Sequence, residues 1–565
     1  PISFDVEDMK SYDCYDRNNN GFMGYELEAG EYEITLRTDV HTLKEIERGR
    51  GQNTYTFTVP SADGEKTGFK YETDSATGNK VENRFTTFTN ESTGASSEIY
   101  EPAVLAAHSI DGSEEPTKLT YVTRADFAGT FPYEKEPNRA AGKELYDTTY
   151  RIKIMPVNKV YGDDASVTVP ACDSKETNYL ITDLYGIEYD DPMWDDLVSQ
   201  LSFEEKMQLV VNAGDKNPSG FRSMAIPRLG KQETLDSDGP SGFNNNVLGK
   251  NDMKAVNYPC STILAQTWDW YTAYQVGLAI GEEGNALGIT GWYGPGGELH
   301  RSPLGGRNFE YYSEDPVLSG TICAYHVLGA KERGVTAYIK HFVGNNMESG
   351  RCGAYEWMTE QNLRENYLRA FEIAVKEGEA NGLMSSVDRI GTTRVGGSYA
   401  LLTSVLRDEW GFRGTVITDY YQVQNGDSGD NPDSSDSTGT WSSGYIHDID
   451  EFMRAGNARI LIAVGNVNWI DDQTSNTAKL AIHNSAKDIL YTYADTLNFA
   501  ETAQGLENGS MAYKETGSFP SWVFLVVAIH IVLIGGVLVG LWFIVHEPKK
   551  KKTAAAASDG GEKES

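Results

Sequence analysis

The run Gly414-Thr415-Val416-Ile417-Thr418 ends on Asp419 and is followed by Tyr420. A glycine that releases β-branched residues reads as a buried strand, and an acid at its end stands where an α/β barrel places its chemistry. Other strand-like runs lead to Asp238, to the segment Gly305-Gly306-Arg307-Asn308-Phe309-Glu310, and to the pair Lys340-His341. Two carboxylates, an arginine, a lysine and a histidine, with Trp292, Tyr293 and Tyr420 nearby, suit a sugar. Charged forks hold hydroxyls, and aromatic faces stack on the C–H surface of the ring. A phosphate would want more cations and a glycine loop opening a helix, and a divalent metal would want clustered carboxylates or histidines. No metal or cofactor is therefore expected. Singly, each residue has a structural alternative. Arg307 and Glu310 form an ion pair, His341 is a satisfied core histidine, or Asp238 begins a turn.

These residues need a scaffold that brings strand ends together. From about residue 185 the sequence alternates strand-like and helical runs. Ser202-Phe203-Glu204-Glu205 opens a helix with a cap and early acids. Leu235 to Pro240 and the run Ser261 to Ala265 follow, then a helix from near Thr267. Gly288 to Gly294, Val335 to Val343, Gly382 to Val387, Gly414 to Asp419 and Arg459 to Val464 read as strands. Val317 to Arg333, Glu360 to Lys376, Leu401 to Trp410, Ile449 to Ala455 and Asn476 to about Leu497 read as helices. Seven or eight β/α units predict a TIM-type (β/α)8 barrel. An open doubly wound sheet is disfavoured, because no dinucleotide or P-loop fingerprint is present.

The 565 residues suffice for two or three domains, and the formal net charge of −33 makes nucleic acid an improbable partner. Five cysteines at wide spacings suggest neither a zinc site nor a disulfide framework. Trp522 to Val545 is free of formal charge and is followed by Lys549 to Lys552. This predicts one C-terminal transmembrane helix at 521–546, a cytoplasmic tail at 547–565, and everything before it outside the cell. The N-terminus shows no export signal and opens on Pro1, so a processed product or fragment is expected. Residues 501–520 read as a polar stalk.

Residues 1–184 read as β-rich, with a hairpin expected within Tyr25 to Arg37 around Gly30. Asp16-Arg17-Asn18-Asn19-Asn20-Gly21 matches the first half of a calcium loop. The twelfth position is Leu27, with Glu26 and Glu28 on either side, and the flanks look like strands, so a polar turn is expected.

Four motifs carry a resemblance. They are Ser237-Asp238-Gly239-Pro240-Ser241-Gly242; Gly294-Pro295-Gly296 with His300 to Pro316; Lys340-His341-Phe342 with Asn345-Asn346; and Gly411-Phe412-Arg413-Gly414 through Asp419. In this order, residues 185 to about 500 resemble the barrel domain of glycoside hydrolase family 3, the β-glucosidase family. The resemblance implies Asp419 as the nucleophile and Asp238, Arg307, Lys340 and His341 as ligands of the sugar, with Arg351 assisting. It also implies cations that keep the nucleophile ionised, and a second carboxyl roughly 5 Å away. In this family the acid usually comes from a separate α/β sandwich domain, which is not found here. A branch with a loop histidine after Lys-His-Phe-Pro-Gly does not fit Phe342-Val343-Gly344-Asn345. The β-rich region resembles the fibronectin-like part of members with reversed domain order, which implies an upstream sandwich domain supplying the acid. Val387-Asp388 departs from the family's aromatic-asparagine pair, and Tyr420 replaces the common tryptophan.

The expected protein is thus a membrane-anchored, extracellular, retaining β-glucosidase acting on oligosaccharides or glycosides. A β-xylosidase is the nearest rival. A non-catalytic glycan-binding protein at the cell membrane is the alternative from another class.

Overall fold

The computed structural model describes residues 5–97 except 15, 17, 40, 47–50, 62–67, 86–87 and 91–94. It further describes 164–211, 221–244, 255–420 except 349–350, 352–354, 357 and 391–392, then 449–462 and 465–507. The chain divides into Pro1–Ala503 and Gln504–Ser565, and the described strands lie in the first unit.

The N-terminal region is β-structured, with pairing different from that expected. Strand β1 (Ser11–Asp13) pairs antiparallel with β2 (Gly24–Leu27), which pairs in turn with Phe69–Tyr71. Gly30–Thr35 pairs with Thr54–Val59 instead of folding back on β2, so there is no hairpin around Gly30. Leu27 is buried and belongs with the first sheet, while Tyr32 stacks on Phe57 across the second. Two alternating stretches do not by themselves name their partners. Residues 98–163 lie outside the described set.

Next comes a sheet in which space follows sequence. The strands are β3 (Phe221–Ser223), β4 (Thr234–Asp238), β5 (Gly291–Tyr293), β6 (Thr336–Phe342), β7 (Gly382–Ser385) and β8 (Thr415–Thr418), each beside the one before. All pairs from β4 onward are parallel, whereas β3 is antiparallel to β4. The parallel strands β5 to β8 are largely apolar because both of their faces are covered, whereas β4, Thr234-Leu235-Asp236-Ser237-Asp238, is mostly polar. Beyond β8 the expected Arg459–Val464 strand reduces to a parallel bridge between Arg459 and Ile417. Buried Arg459 then reaches across the interior to Asp236 on β4, at 2.6 Å. These two residues lie toward opposite ends of the strand order, so their contact requires the sheet to curl round on itself. The fold is barrel-like. Its described part has five parallel strands rather than eight, with antiparallel β3 at one edge.

Helices cover the sheet. Ser202 and Glu205 form the expected capping box, with the N–H of Glu205 donating to Ser202 Oγ at 3.1 Å and that of Ser202 donating to the Glu205 carboxylate at 2.8 Å. The neighbouring helices Trp270–Leu287 and Pro316–Glu332 touch through glycines. A Cβ on Gly277 would lie 2.2 Å from the His326 carbonyl oxygen, so the two backbones meet directly. The last helix, Asn476–Glu507, runs past the expected end near Leu497 and into the residues read as a stalk. It covers the N-terminal ends of the strands: Thr492 Oγ1 accepts the Thr415 N–H at 2.8 Å, and Ile489 and Leu490 pack with Trp194 and Leu197. The opposite mouth is left for chemistry.

The transmembrane helix and the cell-membrane location drawn from it are withdrawn. Among the described residues no helix is long and apolar enough to cross a membrane, and 521–546 lies outside them. A charge-free run satisfies the length such a helix needs, but length alone does not place a helix in a bilayer.

Candidate active site

The strand ends converge as expected on a cavity of about 370 Å³, within the range of small-molecule sites. Its lining includes Asp238, Arg307, Lys340, His341, Asp419 and Tyr420. Asp238 is the last residue of β4, and Asp419 follows the last residue of β8. Lys340 and His341 are consecutive in β6, where strict alternation would turn one of them away. The register of β6 against β7 shifts between Ile339 and Phe342, and both side chains line the cavity.

Asp419 is nearly buried. Arg351 Nη2 lies 2.9 Å from its Oδ2, and His341 Nε2 faces the same oxygen at 3.5 Å. Oδ1 accepts the N–H of Tyr420 at 2.6 Å. His341 is held from behind: its Nδ1 is 3.0 Å from the Tyr311 hydroxyl, which accepts a hydrogen bond from Asn345 Nδ2 at 2.7 Å. Burial, reinforced by Arg307, Lys340 and Arg351, pushes His341 well below the usual histidine range, so its ring is neutral. With the Tyr311 hydroxyl donating to Nδ1, the single ring proton sits on Nε2 and points at Asp419.

The second group of charges is centred on Lys340. Its ammonium lies 2.8 Å from Asp238 Oδ1 and 3.5 Å from Glu310 Oε2. Arg307 is ion-paired with Glu310 and stands 3.7 Å from Glu348. The structural alternative for Arg307 therefore holds, and the same guanidinium also lines the cavity. Burial alone would raise the Asp238 carboxyl. The Lys340 ammonium and its hydrogen bond, with the Gly239 N–H and Arg307, outweigh this and hold it below the usual carboxylate range.

This shift predicts an acid effect. A carboxyl depressed in the folded state stabilises the fold above its unfolded pKa of about 3.9, and the contribution is lost as pH falls through the lower folded value. Lys340→Met removes the largest of the influences that lower it and leaves the Gly239 N–H, Arg307 and the partial burial in place. The variant should lose stability at a higher pH than the parent on acidification, as read by thermal unfolding between about pH 3 and pH 6.

Some expectations need correcting. Trp292 does not line the cavity. It is fully buried on the outer side of β5 and donates its ring N–H to the Gly239 carbonyl at 2.6 Å. Tyr293 does line it, beside Phe221 from antiparallel β3. Val387 and Asp388 are buried outside the lining, Val387 among Met207, Phe452 and Ile482, so this departure does not touch the cavity wall. Phe221, Met384, Leu461 and Glu348 complete the lining without having been anticipated. Glu348 bridges the two arginines, with Oε1 3.7 Å from Arg307 and 3.6 Å from Arg351. Buried Glu298 accepts the N–H groups of Gly344 (2.6 Å) and Asn345 (3.0 Å), fixing the turn that carries Asn345 to Tyr311. An acid preceded by two glycines was the sole sequence signal for Glu298.

Residues 247–435 match the family described as Glycosyl hydrolase family 3 N terminal domain. This span thus reads as a glycoside hydrolase family 3 domain. Arg307, Lys340, His341, Arg351, Asp419 and Tyr420 fall within the matched span, and Asp238 shortly before it. Beta-glucosidase A of Butyrivibrio fibrisolvens is 40% identical over 230 residues, 40% of this chain and 27% of that protein. Beta-glucosidase B of Emericella nidulans is 38% identical over 224 residues, 40% of this chain and 26% of that one. The matched part of the chain thus spans about a quarter of the length of these curated relatives. A solved beta-glucosidase from Paenibacillus barengoltzii superposes with a TM-score of 0.55 over 88% of this chain and 47% of that chain, at 23% identity, a likeness of fold. These matches lend no support to an upstream sandwich domain as a partner, and they do not test the reversed domain order.

Proposed function

We propose that this chain hydrolyses terminal β-D-glucosyl residues from oligosaccharides or glycosides with retention of configuration, using Asp419 as nucleophile. The observation that carries the reading is the Asp419 carboxylate at the end of β8, paired with Arg351 and faced by His341 Nε2 inside a sugar-sized cavity. The 35–40% identity to proteins named beta-glucosidases supports the choice of sugar.

In the first step Asp419 attacks the anomeric carbon, the glycosidic bond breaks, and the leaving oxygen departs with its electron pair and takes up a proton. In the second, water attacks the same carbon from the other face, the ester to Asp419 breaks, and the carboxylate is restored. Asp238 accepts from sugar hydroxyls, Lys340 and Arg307 donate to them, and Tyr293 and Tyr420 face the ring. Arg351 and His341 keep the attacking oxygen fixed, which lowers the reorganisation needed on the way to the transition state.

A second reading, a glycan-binding protein without turnover, is favoured by one observation. Every carboxylate lining the cavity adjoins a cation, Asp238 beside Lys340, Glu348 beside Arg307 and Arg351, and Asp419 beside Arg351. Among the described residues, none of these carboxylates stands apart from a cation as the acid that departure of a poor leaving group needs. Proton NMR during hydrolysis of an aryl β-glucoside with an acidic phenol separates the two. First-formed β-glucose supports the retaining enzyme, first-formed α-glucose excludes it, and saturable binding with no product supports the binding protein.

A further inference from the structure

Glu348 lines the cavity from the loop that follows β6, and its two oxygens stand in different surroundings. Oε1 takes the contacts: Asn345 Nδ2 donates to it at 3.1 Å, Arg351 Nη1 lies 3.6 Å away and Arg307 Nη1 3.7 Å. Asn345 Nδ2 also donates to the Tyr311 hydroxyl at 2.7 Å, so the amide that holds Tyr311 against His341 orients Glu348 as well. The backbone of Gly306 passes beside the Glu348 stem, where a Cβ would lie 3.3 Å from Cγ. One oxygen is thus fixed by the protein. Oε2 has no partner among the described residues, and the side chain is 30% exposed.

A counter-ion role does not account for this arrangement. Arg307 is already ion-paired with Glu310, and Arg351 with Asp419 at 2.9 Å. The separations of both arginines from Glu348 exceed hydrogen-bond range, and a part-exposed pair so spaced contributes little. The arrangement repeats that of Asp238. There too one oxygen is clamped, Oδ1 accepting from Lys340 at 2.8 Å and from the Gly239 N–H at 2.8 Å. Asp238 Oδ2 has no contact among the described residues, and that side chain is 45% exposed. Asp419 differs, because both of its oxygens are engaged. An ionised carboxylate only accepts, so a free oxygen in the wall of a polar cavity is a fixed acceptor for an O–H of the ligand.

We propose that Glu348 is a further ligand of the sugar, with Oε2 accepting the hydroxyl on C2 or C3 of the ring. The assignment rests on the sugar reading of the cavity and not on turnover. With the anomeric carbon at Asp419 and the far end of the ring at Asp238 and Lys340, the hydroxyls of C2 and C3 fall between. Glu348 stands between the same two groups, 3.6 Å from the arginine that pairs with Asp419 and 3.7 Å from the one that pairs with Glu310 beside Lys340. A ring that lacks this hydroxyl leaves the acceptor unanswered, and a ring acylated on that oxygen has no proton to give it.

Ligand-observed NMR titrations of the full chain with glucose, 2-deoxyglucose and 3-deoxyglucose test this and need no hydrolysis. The parent is expected to bind one of the two deoxy sugars at least about tenfold more weakly than glucose. In Glu348→Ala that ratio should shrink to about twofold or less, the mark of a lost direct contact. Arg307 and Arg351 keep Glu310 and Asp419 as partners in the variant, so the ratio reads the lost acceptor rather than displaced arginines. Glu348→Gln keeps the side-chain length and a neutral oxygen; its ratio should fall between the two, and it gives the answer where the alanine variant loses all binding. A ratio as large in the variants as in the parent overturns the proposal, and so does a parent that binds both deoxy sugars as tightly as glucose. A parent that binds none of the three sugars overturns the sugar reading of the cavity as well.

Discussion

Asp419→Gly is expected to lower turnover of an aryl β-glucoside by about 10⁴-fold or more, the scale seen when a nucleophile is removed from a site that otherwise stays assembled. A structural role for Asp419 also predicts a loss, because the carboxylate holds Arg351 at 2.9 Å. Rescue separates the two. The glycine variant leaves room beside the anomeric carbon, and azide entering there attacks from the face that Asp419 used. The phenolate leaves, a carbon–nitrogen bond forms, and the product is the α-glucosyl azide, inverted because only one displacement occurs. Recovery of rate with added azide, and the α-product by NMR, is the expected result. Loss of activity without rescue would assign Asp419 to the scaffold.

The second large effect concerns the seam between the N-terminal region and the barrel. Arg364→Met is expected to destabilise the fold by about 3–5 kcal/mol, the cost of breaking a buried ion pair from one side. Arg364 is buried between two buried glutamates, with Nε 2.9 Å from Glu360 and Nη1 2.8 Å from Glu409. Its Nη2 donates to the Glu82 carbonyl at 2.9 Å, and the guanidinium lies over the Tyr12 ring at 4.7 Å. Glu360 also accepts the N–H groups of Arg84 (2.9 Å) and Phe85 (3.0 Å) from the N-terminal region. Removing the cation takes the shared positive charge from two buried carboxylates, Glu409 keeping only the longer contact to Arg84 Nε at 3.4 Å among those described, so the penalty is mainly the lost charge compensation. Adding Glu409→Gln to Arg364→Met should recover part of the loss in urea unfolding. An Arg364→Met variant as stable as the parent would contradict the seam described here.

Much of the site was legible because strand ends are legible. Asp419 follows a short apolar strand and Asp238 ends a short buried one, and parallel strands bring such ends to one mouth whatever their separation in sequence. The errors have equally physical sources. Trp292 and Tyr293 are adjacent in one strand, so only one can face inward, and period alone does not say which. Tyr293 takes the inner position, where its hydroxyl meets Asp236 at 3.1 Å. Phe221 arrives on a three-residue antiparallel strand too short to show a pattern. Glu348 and Glu298 act on other residues of the site, one bridging arginines and the other fixing a turn, and neither role has a spacing that could announce it. The strand expected at Arg459 shrank to one bridge, and Arg459 itself is drawn inward by Asp236.

The most direct test of the account is covalent capture of the sugar. The chain is mixed with a 2-deoxy-2-fluoro-β-glucoside carrying a very good leaving group, so that the first step needs no acid and the second is slow. The account predicts one added fluoroglucosyl mass, mapped by peptide to Asp419, and none in Lys340→Met at the same exposure, because the hydroxyl grip is lost. A label on any other carboxylate, or no label on a folded chain that binds glucose, would contradict it.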